Sequence, residues 1–338
     1  MGNANQVNTT GGLDIGKFIM SIVVVAIHTQ PLAGKISGIS LALYNFFIAL
    51  AVPFFFVASG YLLSRKITVP VDYRQCYTIL SDYLFRITKL YVIWTILYLP
   101  LTIYGFYQQH TDPLLAFALF FRNIFLRGEN YYSWPLWYLM ALIYTLMVLL
   151  IFLKKQISPQ FILVYAFGSY FVACSWDIIV KAVEAEGYMW LKIWHNSFGS
   201  VRVFTALTFV VLGLYLGLSR RYWSKTNILI TSIGAVALGF FEIPLLSELC
   251  ILVGAYAVFQ LFVLSFPWLS QAYGKKIRKV STVIYFTHML VFFTYQSVFY
   301  SFQLPQWVGF LFTVLVTISL AFWVLRYEQR VSWLNKIF

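Results

Sequence analysis

Charge is what this sequence has least of. Asp, Glu, Lys and Arg make up 10% of the 338 residues, against 61% hydrophobic and 20% aromatic. A soluble domain carries about 25% charge, so this chain lacks the polar side chains to cover its own surface in water. Acidic residues are the scarcest, 11 against 24 Lys and Arg, which leaves a formal charge of +13. The basic residues are not gathered on one polar face, as nucleic-acid binding requires. They sit in short segments between apolar runs, a pattern of membrane topology with a contribution from anionic headgroups. Cysteine is nearly absent: Cys76, Cys174 and Cys250 stand far apart with no CxxC spacing, so neither a disulfide nor a metal site is expected. No P-loop, HExxH or GxSxG motif occurs. The first twelve residues carry no charged side chain and read as a disordered tail. They lack the basic n-region of a secretory signal.

What is present in abundance is apolar runs of about 20 residues, each long enough for a hydrocarbon core of roughly 30 Å. They predict an all-α integral membrane protein with about ten spans, near 13–29, 41–63, 83–105, 134–153, 160–177, 199–218, 227–243, 247–266, 281–302 and 306–325. One membrane domain over 13–326 is expected, followed by a C-terminal tail over 327–338. The apolar segment 114–126 is short and interrupted by Arg122, and reads as a re-entrant or interfacial helix. Charge tests that choice, because cytoplasmic loops hold the Lys and Arg excess. With ten spans and both termini inside, the inner segments hold fifteen basic residues: Arg65, Lys66, Arg74, Lys154, Lys155, Arg220, Arg221, Lys225, Lys275, Lys276, Arg278, Lys279, Arg326, Arg330 and Lys336. The outer segments hold five: Lys35, Arg122, Arg127, Lys181 and Lys192. An eleventh crossing at 114–126 would place the basic loops at 220–225 and 275–279 outside.

Ionisable side chains at membrane depth cost several kcal/mol unless paired or hydrated, so each marks a functional hypothesis. In the first span, Asp14, Lys17, Ser21 and His28 share one helical face. The eleven residues from Lys17 to His28 make three turns with about 20° of drift, and cover roughly 16 Å along the axis. Arg86 and Lys89, three apart in the third span, also share a face, either as inner-leaflet anchors or as a cradle for phosphates. Arg202 and Glu242 fall at the outer ends of the sixth and seventh spans, where they can pair. His288 lies two turns into the ninth span, with Ser281 and Tyr285 before it on about the same face. His110 and His195 fall in loops and read as solvated.

Several of these residues stand in segments that resemble the acyltransferase 3 family of multi-span membrane acyltransferases. Leu13-Asp14-Ile15-Gly16-Lys17 with His28 is similar to the family's opening Leu-Asp-x-x-Arg and His, with Lys in the Arg position. Val52-Pro53-Phe54-Phe55-Phe56-Val57-Ala58-Ser59-Gly60-Tyr61 resembles its second-span signature. Arg86-Ile87-Thr88-Lys89 resembles its Arg-x-x-Arg/Lys stretch, and Trp134-Pro135-Leu136-Trp137-Tyr138 its Leu-Trp-Phe/Tyr segment. Ser281 to His288, with Tyr285 between, resembles Ser-x-x-Ile-Tyr-x-x-His. The likeness runs over nearly the whole chain. It implies acyl transfer, usually of acetyl from cytoplasmic acetyl-CoA, to a hydroxyl of a carbohydrate or lipid-linked glycan at the cell membrane.

On that reading His28 is the general base, since its pKa suits the task, or it carries the acyl group covalently. Asp14 orients it. Lys17, Arg86 and Lys89 hold CoA phosphates, while Ser281, Tyr285 and His288 line the acyl tunnel. Arg202, Glu242, Trp134 and Trp137 face the acceptor. Lys for Arg keeps the charge but loses the planar fork. The chain also resembles the membrane domain of vancomycin-resistance serine racemases, which implies a rival function, transport of a small polar solute such as L-serine. A non-catalytic scaffold is the third class, and assembly into homo-oligomers is left open.

Overall fold

The computed structural model describes residues 10–68, 72–184, 202–239, 241, 243–266, 269–328, 330–331 and 334–337. The helices are α1 (Thr10–Thr29), α2 (Gly38–Ala49), α3 (Ala51–Ser64), α4 (Tyr73–Gln108), α5 (Pro113–Arg122), α6 (Trp137–Lys154), α7 (Pro159–Glu184) and α8 (Arg202–Ser219). They continue with α9 (Lys225–Gly239), α10 (Pro244–Leu264), α11 (Gln271–Phe299), α12 (Gln306–Tyr327) and a single turn, α13 (Leu334–Ile337). No strand occurs among the described residues. Nine helical segments there are long and apolar enough to cross a membrane. Their outward faces carry large apolar side chains such as Phe85, Val164 and Leu315, each well over half exposed. Such a surface is compatible with lipid and not with water. The protein is an all-α, multi-pass membrane protein.

Boundaries differ from those the sequence suggests, and the reasons are local. The second expected span is two helices joined at Leu50. Pro53 has no N–H to give the Ala49 carbonyl, and its ring crowds that carbonyl. The third begins ten residues earlier than expected, at Tyr73, where Asp72 caps it by accepting from the Arg74 N–H at 2.9 Å. The ninth begins at Gln271, so Lys275, Lys276, Arg278 and Lys279 are helical and not a loop. The seventh is the 15-residue α9, about 22 Å long and short for a crossing. The segment at 114–126 forms the ten-residue α5 and a π-turn, Asn123–Arg127, closed by Gly128 in the left-handed region (φ 76°). At about 15 Å, α5 covers half a hydrocarbon core.

The chain divides into two compact units, one of Ser59–Arg221 and the other of the residues before and after it. In the flanking unit, α1 packs against α10, α11 and α12. Val25, Val280, Val283, Ile284, Ala321 and Val324 form the apolar core of α1, α11 and α12. Close approach of α1 to α10 depends on Gly12, where a Cβ would lie 1.9 Å from the Phe262 carbonyl oxygen. Small residues serve helix contacts in membranes this way. In the Ser59–Arg221 unit, α4 packs on α6, and α8 on α6 and α7. The Thr208 hydroxyl donates to the Ala166 carbonyl at 2.7 Å, tying α8 to α7. Gly60 lets α3 meet α8, since a Cβ there would stand 1.9 Å from the Val210 oxygen.

Candidate functional site

The polar face of α1 meets a polar face of α11 in the flanking unit. Asp14, Lys17, Ser21 and His28 are spaced by 3, 4 and 7 residues, and Arg278, Ser281, Tyr285 and His288 by 3, 4 and 3. The helices run parallel, so Asp14 meets Arg278, Lys17 meets Ser281 and His28 meets His288 in that order along both. Asp14, 2% exposed, accepts from Arg278 through Nε to Oδ1 (2.8 Å) and Nη2 to Oδ2 (3.0 Å). Gly274 makes room for this carboxylate, because a Cβ there would lie 2.6 Å from Oδ2. One turn on, the Ser281 hydroxyl donates to the Lys17 carbonyl at 2.9 Å. Two to three turns further, the His28 and His288 rings face each other with centroids 5.3 Å apart and planes tilted by 31°.

His288 is fully buried. Its Nδ1 lies 3.1 Å from the Ile284 carbonyl oxygen. A carbonyl only accepts, so the proton sits on Nδ1 and Nε2 keeps its lone pair. That Nε2 is buried with no hydrogen-bond partner among the described residues. Leaving such a group unsatisfied costs about 1–3 kcal/mol, which makes it a candidate for work on a substrate. Tyr285 packs between His288 (6.3 Å between centroids) and Phe55 (5.8 Å). The geometry supplies two imidazoles, one with its basic nitrogen available, at one end of a buried polar seam. An ion pair closes the other end.

The remaining candidates belong to the Ser59–Arg221 unit, except Glu242, which lies outside the described residues. Arg86 and Lys89 are exposed on α4, with the Arg86 guanidinium 5.0 Å from the Tyr83 ring. Lys17 is thus in one unit and its two expected companions in the other. Arg202 pairs with Glu129 (2.9 Å) and stands over the Trp137 ring at 4.7 Å. Arg127 reaches the same carboxylate at 3.4 Å. Burial and the neighbouring Arg127 lower the pKa of Arg122, the next cation along. Trp134 is exposed at the start of the turn that leads into α6. Ser59, in the second-span segment, shares a 2.8 Å hydrogen bond with the Tyr138 hydroxyl of the Trp134–Tyr138 segment. Arg278 and Glu129 were missed by sequence reasoning. Arg278 was signalled by its place three residues before Ser281 on the same face; nothing in the sequence pairs Glu129 with Arg202.

Fold and site together define a multi-pass membrane protein with an intramembrane histidine pair. The chain matches the family model of an acyltransferase domain over residues 10–326 and belongs to that family, acyltransferase 3. It is also similar to a serine/alanine racemase of Enterococcus gallinarum, at 26% identity over 95% of this chain and 46% of the relative. An amino-acid racemase of Enterococcus faecalis is 29% identical over 68% of this chain and 31% of the relative. The chain thus spans less than half the length of these curated relatives. No solved structure matches it.

Proposed function

We propose that this chain is a membrane O-acyltransferase that moves acetyl from acetyl-CoA to a hydroxyl of a carbohydrate or cell-envelope glycan. The observation that carries the reading is the His28–His288 pair on a buried polar seam in a member of an acyltransferase family. In direct transfer, a histidine nitrogen takes the acceptor hydroxyl proton as the oxygen attacks the thioester carbonyl. The CoA thiolate leaves, and the proton returns to it. The Nδ1–H tautomer of His288 suits this step, as does a relay in which His28 meets the acceptor. A histidine that attacks the thioester first would carry the acetyl as an acyl-imidazole. The Lys17 ammonium is the charge in the flanking unit suited to a CoA phosphate; Arg86 and Lys89 have the same chemistry in the other. Arg202 and Trp137 are the candidates for holding the acceptor. The fifteen-to-five distribution of basic residues supports a cytoplasmic location for both termini.

Saturable binding of acetyl-CoA to the detergent-purified protein, followed by calorimetry beside free CoA and serine, tests the donor. It should weaken in Lys17→Ala. A second reading rests on the relative named a serine/alanine racemase, and makes this chain a carrier of serine or a similar small solute. Serine binding without acetyl-CoA binding would replace the first reading with this one.

A further inference from the structure

An apolar cavity of about 490 Å³ lies within the Ser59–Arg221 unit, between α4, α6, α7 and α8. Its volume is that of a small-molecule site. Leu80, Leu149, Leu153, Leu163 and Leu214 line it, and the half-exposed rings of Tyr73 and Tyr215 border it. It sits at the helix ends that carry the basic segments. Exposed cations adjoin its lining residues in sequence on every side: Lys66 beside Ile67, Arg74 beside Tyr73, Lys154 and Lys155 beside Leu153, Arg220 and Arg221 beside Ser219. The acidic residue at this rim, Asp72, is occupied in capping α4. We propose that this cavity is a specific site for an anionic phospholipid, one acyl chain in the leucine-lined interior and the headgroup among the cations. The charge complementarity selects that occupant. A zwitterionic lipid has no net charge for six cations to attract, whereas each Lys or Arg near the surface attracts an anionic headgroup. Tyrosines at the mouth sit where amphipathic rings favour the interface. The site is independent of the histidine pair and of the acyl-transfer reading.

Cys76 is buried at the cavity wall and gives the test a local reporter. The full chain is placed in phosphatidylcholine nanodiscs with or without phosphatidylglycerol, and N-ethylmaleimide labelling of Cys76 is followed by peptide mass. Phosphatidylglycerol is expected to slow labelling of Cys76 but not of Cys174 or Cys250. It should also remain bound through native mass spectrometry. Combined Lys154→Gln, Lys155→Gln, Arg220→Gln and Arg221→Gln, all at exposed positions, should weaken that retention by at least about tenfold. Leu163→Phe, which fills the cavity, should abolish the protection. Should Leu163→Phe fail to fold, the exposed-cation variant decides alone. Equal protection by both lipids, unchanged retention in that variant, or protection by long-chain acyl-CoA in place of phosphatidylglycerol would overturn the proposal.

Discussion

His288 Nε2 is a basic nitrogen buried beside a second imidazole, with no hydrogen-bond partner among the described residues. On the proposed chemistry, His28→Ala and His288→Ala each lower acetyl transfer by about 10²–10⁴-fold. Helicity and membrane insertion should be unchanged. Transfer that survives in both variants would remove the pair from the reaction. Asp14 is a different case, since Arg278 engages both its oxygens. Asp14→Asn keeps the shape and loses the charge, and should destabilise the flanking unit by about 1.5–3 kcal/mol. A lower melting temperature in detergent, with a smaller loss in Arg278→Lys than in Arg278→Ala, is the expected result. Unaltered melting in Asp14→Asn would mean that the pair contributes nothing to stability.

At the scale of elements, α1 owes its position to small residues as much as to apolar ones. Gly12 stands so close to α10 that Gly12→Ala must push the helices apart, at a cost of about 1–3 kcal/mol for overpacking. Gly234 on α9 has no atom of the described residues within 4 Å of where a Cβ would lie. Gly234→Ala should therefore be neutral or gain up to about 1 kcal/mol of helix propensity. Thermal unfolding of the two variants side by side is the measurement, and similar shifts would refute the close-approach argument. The polar spacing of α1 was legible in the sequence because a shared helical face follows from 3.6 residues per turn alone. The start of α11 was not. Four cations in five residues read as a loop beside a membrane, and the neutralising partners of Arg278 and Lys279, which are Asp14 and Glu328, lie far away in sequence.

For the whole molecule, the placement of basic residues predicts topology. Cysteines introduced at Lys155 and Lys225 should react only with reagents that enter the cytoplasm, and one at Lys35 with an impermeant reagent added outside. Labelling of Lys35→Cys and Lys155→Cys from the same side would refute the odd number of crossings between them. The seam of α1 and α11 and the cation-bearing α4 belong to different units.

The sequence by itself determined that the chain is a helical membrane protein. Scarcity of charge and recurrence of 20-residue apolar runs admit no other way to satisfy the backbone. It also determined which faces are polar, since helical periodicity is a local property. Only the tertiary structure decided that the faces of α1 and α11 meet in parallel. The same holds for Arg278 with Asp14, Glu129 with Arg202, and the facing imidazoles of His28 and His288. Such pairings join residues up to 264 positions apart, and they depend on packing between helices that no single helix encodes.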